Sequence, residues 1–186
     1  MSGKINLKAK KRLLSILNDL CLKRERVILA SGTVSNYYFD ARIGSLSSEG
    51  AYLIARIILN MIKNDKIDAV GGLTLGADPI IGSIVALSFK TKQRLNGFIV
   101  RKEEKKHGMG KLIEGCPLKK SSRVLIIDDV VTTGSSTIKA IKAVKATGAK
   151  IIRVIAIVDR LAGAKKNIKK YNLKFESIFT IEDFNL

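Results

Sequence analysis

Residues 128–136 read Asp-Asp-Val-Val-Thr-Thr-Gly-Ser-Ser, two adjacent carboxylates followed by a run of hydroxyl side chains around one glycine. The apolar stretch before them, Val124 to Ile127, reads as a strand, and the pattern from about Ser135 reads as a helix. A turn of that kind presents unpaired backbone N–H groups and the positive end of a helix dipole to whatever sits above it. Gly134 lets the backbone approach an anion closely, and Thr132, Thr133, Ser135 and Ser136 add hydroxyl donors. The stretch reads as a lysine-free cradle for a phosphate monoester. Asp128 and Asp129 would repel that phosphate, so they must serve something beside it. They are acceptors for sugar hydroxyls, or partners for a cation carried by the substrate. An ordinary capped turn also favours Thr, Ser and Asp, but it gives no reason for an acidic pair to close an apolar strand.

Positive charge is gathered elsewhere. Residues 101–115 hold Arg101, Lys102, Lys105, Lys106, His107 and Lys111 among glycines at 108, 110 and 115, with no apolar periodicity before Leu112. Such a run reads either as an exposed charged hairpin or as a mobile basic lid on glycine hinges, able to close over a polyanion, and its place after a strand end favours the lid. His107 is the only histidine, which leaves no zinc site of the usual kind. A metal here would be a hard cation such as Mg2+, held largely by phosphates. A third segment, residues 71–80, is a glycine-rich turn that offers backbone N–H groups to a second anion. No Gly-x-x-x-x-Gly-Lys-Ser/Thr pattern occurs, which excludes a P-loop. Residues 108–113 lack the third glycine of a dinucleotide fingerprint and open no helix.

These segments need elements to hold them. Four short, β-branched apolar runs are expected as strands at 69–73, 97–100, 124–128 and 151–159, with helices at about 78–90, 135–147 and 162–171. Strands buried on both faces and alternating with helices indicate an α/β architecture on a parallel sheet. Right-handed crossovers then bring the carboxyl ends together at one edge, where ligands bind. The glycine-rich turn, the basic run, the acidic turn and Asp159–Arg160 all follow such ends. Upstream, apolar positions from Leu7 to Cys21 predict a helix over 7–24, and Ser47 or Ser48 caps another running to about Lys63. Between them, residues 28–32 and 36–41 read as short strands around a polar turn at Thr33–Asn36.

Bulk composition sets the outer bounds. A chain of 186 residues suffices for one domain with a sizeable core and is too short for two ordinary ones. No apolar run approaches the ~20 residues that span a bilayer. The lysine-rich N-terminus lacks a small-residue cleavage site, and Cys21 and Cys116 are lone thiols that suit a reducing cytosol. Lys and Arg outnumber Asp and Glu by 34 to 16, a net charge of +18. That excess fits nucleic acid, an anionic membrane or a heavily phosphorylated substrate, and equally fits solvated helix faces.

At this point the motifs match a family. Residues 124–136 closely resemble the phosphoribosyl pyrophosphate (PRPP) signature of type I phosphoribosyltransferases. Residues 101–115 are similar to the flexible catalytic loop of the orotate phosphoribosyltransferase family, and residues 28–42 resemble its N-terminal segment, a hood over the pyrimidine. The resemblance covers roughly residues 7–165. It implies an α/β fold of the type I phosphoribosyltransferase kind, a mainly parallel central sheet flanked by helices. One domain over 1–186 is expected, with a helix and hood over about 1–45 and the core sheet, carrying the loop, over about 46–186. The implied reaction transfers phosphoribose from PRPP to N1 of orotate in pyrimidine (UMP) biosynthesis, with Mg2+ bound mainly through PRPP.

The resemblance also implies roles. Asp128 and Asp129 contact the ribose hydroxyls, and the PRPP-binding set continues through Val130, Val131, Thr132, Thr133, Gly134, Ser135 and Ser136. Arg101, Lys102, Lys105 and His107 clamp the pyrophosphate, with Lys105 the main loop cation. Lys105, His107, Asp128 and Asp129 form the catalytic set, and no residue is expected as a metal ligand. Tyr38, Phe39, Thr132 and Arg160 bind orotate. A cytoplasmic homodimer with shared active sites follows, with an orotidylate decarboxylase as candidate partner and neither nucleic acid nor membrane. The chain departs from some relatives at Ala30, at Leu75–Gly76 and at Ala162, where they carry a lysine, a Tyr-Lys pair and a glutamate. The alternatives are a type I phosphoribosyltransferase for another base, and a PRPP-sensing regulator that binds nucleic acid. No separate DNA-binding helix pair is evident to support the latter.

Overall fold

The first helix follows from its apolar stripe. In the computed structural model, which describes residues 2–28, 34–103, 112–184 and 186, α1 spans Ser2–Cys21 and buries Ala9, Leu13, Ile16, Leu17 and Cys21. That spacing places them on one helix face. The helix stops three residues short of the expected end, because Leu22–Lys23 leaves it as strand β1. Two small antiparallel pairs follow: β2 (Val27–Ile28) with β3 (Val34–Ser35), and β1 with β4 (Tyr38–Phe39). Most of the strand expected at 28–32 lies outside the described residues. Only the Tyr38–Phe39 centre of the run expected at 36–41 is paired, since Asp40 caps a short unforeseen helix, α2 (Ala41–Ser45). Helix α3 (Ser48–Met61) starts from Ser47, whose hydroxyl accepts the Gly50 N–H at 3.2 Å.

The core then alternates. Strand β5 (Ala69–Leu73) is buried throughout and leads into α4 (Asp78–Ser88), with Pro79 in its first turn. Strand β6 (Asn96–Val100) is paired antiparallel with β7 (Ile113–Gly115), a short return strand that agrees with the hairpin reading of the charged run and was not among the strands expected from sequence. Strand β8 (Arg123–Val131) leads to α5 (Ser135–Ala146), and β9 (Lys150–Asp159) to α6 (Ala164–Lys169). A further strand, β10 (Phe175–Thr180), and a 3-10 turn (Ile181–Asp183) close the chain. The sheet order is β10-β9-β8-β5-β6-β7, parallel except at the β7 edge.

Strand β8 was expected to end at Asp128–Asp129. It continues through both acids to Val131, because parallel pairing with β9 extends from Asp128 beside Ala156 to Val131 beside Asp159. Apolar contacts divide the core into two layers. Helices α1 to α4 cover one face of the sheet with Ile54, Ile58, Ile80 and Ile84 against Leu125 and Ile127. Helices α5 and α6 cover the other with Ile141, Val144 and Ile168 against Val124, Ile126 and Val154. The carboxyl ends of β5, β6, β8 and β9 lie together at one edge, each followed by one of the segments that sequence chemistry singled out. Among the described residues no helix is long and apolar enough to cross a membrane.

Candidate active site

The two acids lie on opposite faces of β8 because strand side chains alternate. Asp128 faces α5 and is 6% exposed; its Oδ2 accepts the Thr137 hydroxyl at 2.6 Å, and its Oδ1 accepts the Asp129 N–H at 3.1 Å. Burial pushes this carboxyl up from 3.8 to about 7, with repulsion from Asp129 adding to it and the Thr137 hydrogen bond opposing it. Asp129 is half-buried on the other face, its Oδ1 accepting the Val130 N–H at 2.7 Å. Gly76 packs directly against it: a Cβ at position 76 would lie 2.6 Å from the Asp129 carboxylate atoms.

Beyond β8 the chain turns into α5 through Gly134, at φ +83°, the left-handed region that favours glycine. No side chain caps α5, so its first N–H groups are left for another acceptor. A hollow of about 80 Å³ lies here, walled by Thr132, Thr133, Gly134, Ser135 and Ser136 together with Asp128, Val130, Val131 and Thr137. Asn167 of α6 holds the turn in place, its side-chain amide donating to the Thr133 carbonyl at 2.9 Å.

A second cavity, of about 290 Å³, adjoins the first and shares Asp128, Val130 and Ser136 with it. Tyr38, Phe39, Asp40 and Arg42 form one wall, Leu73 to Gly76 another, and Asp129 and Lys102 complete it. The glycine-rich turn is braced by the Thr74 hydroxyl, which donates to Asp78 Oδ2 at 2.6 Å, and by the Thr74 N–H, which donates to the Val100 carbonyl at 2.9 Å. Tyr38 is exposed, while the Phe39 ring is buried edge-on against Phe184 at 5.0 Å and anchors the segment to the core. A larger hollow, about 560 Å³, lies between the C-terminal parts of α3 and α4 and is lined by Tyr52, Arg56, Lys63 and Lys90 among others. None of the motif residues reaches it.

Of the residues expected from sequence, the structure brings Tyr38, Phe39, Lys102, Asp128 to Thr133, Gly134, Ser135 and Ser136 to these two cavities. Arg160 lines neither, but sits beside them: its N–H donates to the Val131 carbonyl at 2.9 Å and its guanidinium lies 5.4 Å over the Tyr37 ring. Its Nε is buried without a hydrogen-bond partner among the described residues. Arg101 is turned away, its N–H donating to the Leu112 carbonyl and its guanidinium 3.7 Å from Glu114 at the base of the β6–β7 hairpin. Lys105 and His107 lie outside the described residues, as does Ala30.

Sequence reasoning missed Asp40, Arg42, Thr74 and Thr137. Asp40 two residues before Arg42 is an N-cap signal that went unread. Its carboxylate takes the Arg42 N–H at 3.0 Å and the guanidinium at 2.8 and 2.7 Å. The fork holds Asp40 below its ordinary value and Arg42 above its own. The arrangement thus offers hydroxyl and N–H donors in one cavity, and carboxylates facing cations in the next.

The family model for the phosphoribosyl transferase domain matches residues 45–185. An orotate phosphoribosyltransferase of Rhodopirellula baltica is 41% identical over 180 residues, covering 94% of this chain and 93% of its own. The solved orotate phosphoribosyltransferase of Mycobacterium tuberculosis H37Rv, in complex with Fe(III) dicitrate, superposes with a TM-score of 0.86 at 34% identity, covering 96% of this chain and 99% of its own. A UMP synthase of Leishmania donovani superposes at 0.77 with 29% identity; there 92% of this chain matches 36% of the neighbour.

Proposed function

We propose that this chain, which belongs to the orotate phosphoribosyltransferase family, transfers the phosphoribosyl group of PRPP to N1 of orotate, giving orotidine 5′-monophosphate and pyrophosphate in the pathway to UMP. The observation that carries the reading is the pair of adjoining cavities that share Asp128 and Ser136. One suits a terminal phosphate and the other a sugar and its leaving group.

In this reading the 5′-phosphate rests on the Thr132–Ser136 turn, and the α5 N–H groups neutralise it without a lysine. Asp129 Oδ2, which no described residue occupies, accepts a ribose hydroxyl, and Asp128 fixes the position of the strand end. Tyr38 faces the pyrimidine, and the Arg160 guanidinium grips the orotate carboxylate, a planar fork meeting a planar anion. As the C1–O bond to pyrophosphate lengthens, the ribose ring gains oxocarbenium character and orotate N1 attacks. Negative charge grows on the leaving group, so cations placed there stabilise the transition state more than the ground state. Lys102 stands at that wall, and the loop residues Arg101, Lys105 and His107 close over it, excluding water that would hydrolyse PRPP.

Among the described residues no three His, Cys, Asp or Glu side chains cluster as a protein-built metal cage. PRPP and pyrophosphate offer hard oxygen donors of their own, and Mg2+ bound on them would supply further charge neutralisation at the leaving group. The protein acts as a cytoplasmic homodimer whose loops cross between active sites. Orotidine 5′-monophosphate differs from UMP by one carboxylate, so an orotidylate decarboxylase is the functional partner. Incubation with PRPP, Mg2+ and either orotate or hypoxanthine tests the reading by ultraviolet loss of the base and release of pyrophosphate. Orotate consumption with stoichiometric pyrophosphate is expected. Hypoxanthine consumption, or salt-dependent nucleic-acid binding without orotate turnover, would replace the reading.

A further inference from the structure

We infer that Arg42 is a catalytic residue, a fixed cation that contacts the leaving pyrophosphate from α2, outside the basic loop. The inference rests on the transfer reading above and adds a residue to it.

One wall of the cavity carries no charge. The turn opposite Asp129 is Thr74-Leu75-Gly76, and it contributes no cation to the cavity. Position 76 has no room for one as the site stands, because any side chain there meets the Asp129 carboxylate at 2.6 Å. A polyanion leaving through this cavity therefore needs a cation from another element. Among the described residues that line it, only Arg42 and Lys102 are cationic. Lys102 sits at the root of the basic loop, so Arg42 is the cavity cation supplied from outside that segment.

Arg42 is also held as a preorganised donor would be. Its Nε and Nη2 are both given to Asp40, at 2.8 and 2.7 Å, and Nη1 has no partner among the described residues. Asp40 is itself anchored, since the same carboxylate caps α2 through the Arg42 N–H at 3.0 Å. The orientation cost of the guanidinium is thus met before substrate arrives. Asp129 adds to the field that keeps Arg42 charged, which places the guanidinium within electrostatic reach of the ribose-binding acid. An ion pair whose arginine side chain is 49% exposed contributes little to folding, so stability does not account for this fork. A fixed donor aimed at developing negative charge does account for it.

The test titrates the full-length chain and its Arg42→Gln and Arg42→Lys variants with magnesium pyrophosphate and, separately, with ribose 5-phosphate. The side chain lies half in solvent, so both variants keep the fold. Arg42→Gln is expected to weaken pyrophosphate binding about tenfold or more, the loss of one charge-assisted hydrogen bond, and to leave ribose 5-phosphate within about twofold. Arg42→Lys recovers part of the loss, and kcat with orotate falls in the same order. Unchanged pyrophosphate affinity in Arg42→Gln, or an equal loss for ribose 5-phosphate, overturns the assignment. Direct titration does not depend on the acceptor base, so failure here is separable from absence of orotate turnover by the unaltered protein.

Discussion

Asp128 and Asp129 are neighbours along the chain and strangers in environment. One is buried against α5 with both oxygens engaged; the other faces Gly76 and keeps an oxygen open to the cavity. The buried acid has a measurable consequence. Its carboxyl is raised from 3.8 to about 7, so between those values the folded chain holds a proton that the unfolded chain has already released. Its contribution to stability is complete below about pH 4 and is lost as pH rises through about 7. Relative to an Asp128→Asn variant, the unaltered protein should lose on the order of a few kcal/mol between pH 4.5 and pH 8, read from urea midpoints at both values. A constant gap between the two proteins would show that burial does not shift this group. Thr137 is the counterweight: Thr137→Val removes the donor and should raise the apparent acidic pKa of kcat/KM, while Thr137→Ser restores it. The acidic pair and its hydroxyl turn were legible because residue type and order carry their chemistry. Thr137 and Arg42 were not, because their meaning comes from a helix face and a cap that only folding places beside the acids.

At the scale of elements, legibility followed burial. Strands β5, β6, β8 and β9 each centre on a buried apolar run, and their sequence limits lie within three residues of the structural ones. Strand β10 lies at the sheet edge with Glu176 and Ser177 half-buried, and β7 is three residues long, so neither makes an apolar run. The overrun of β8 past its acids has the same origin, for pairing with β9 rather than composition decides where that strand ends. The turn that follows is where backbone geometry and the proposed phosphate binding coincide. Gly134 holds φ +83°, and an added Cβ would meet only Ile168 and Ala164 at 3.5 and 3.6 Å, so space is available and conformation is the obstacle. Gly134→Ala should therefore cost about 1–2 kcal/mol in chemical denaturation. It should also raise the KM for PRPP more than that for orotate, since the displaced N–H groups face the hollow proposed for the phosphate. A variant with full stability and unaltered KM for PRPP would remove the turn from the phosphate site.

For the whole molecule the open matter is how many chains make one active site. The cavity wall described for a single chain has Arg42 and Lys102 as its cations, while the proposed clamp includes Lys105 and His107 from a loop that crosses to the partner. Separate variants turn that division into a measurement. Lys105→Ala removes the proposed loop donor, with an expected loss of about 100-fold in kcat, and Asp129→Asn removes the proposed ribose acceptor. Each is strongly impaired alone, for a different reason. If loop and acceptor of one site come from different chains, a hybrid dimer carries one site with both defects and one with neither. Equal mixing under exchange makes half the dimers hybrids with one intact site of two, so about one quarter of the unaltered rate should return. If each chain completes its own site, every site in every hybrid keeps one defect and mixing restores nothing. Turnover measured against mixing ratio separates the two, with a maximum at equal proportions expected for shared sites.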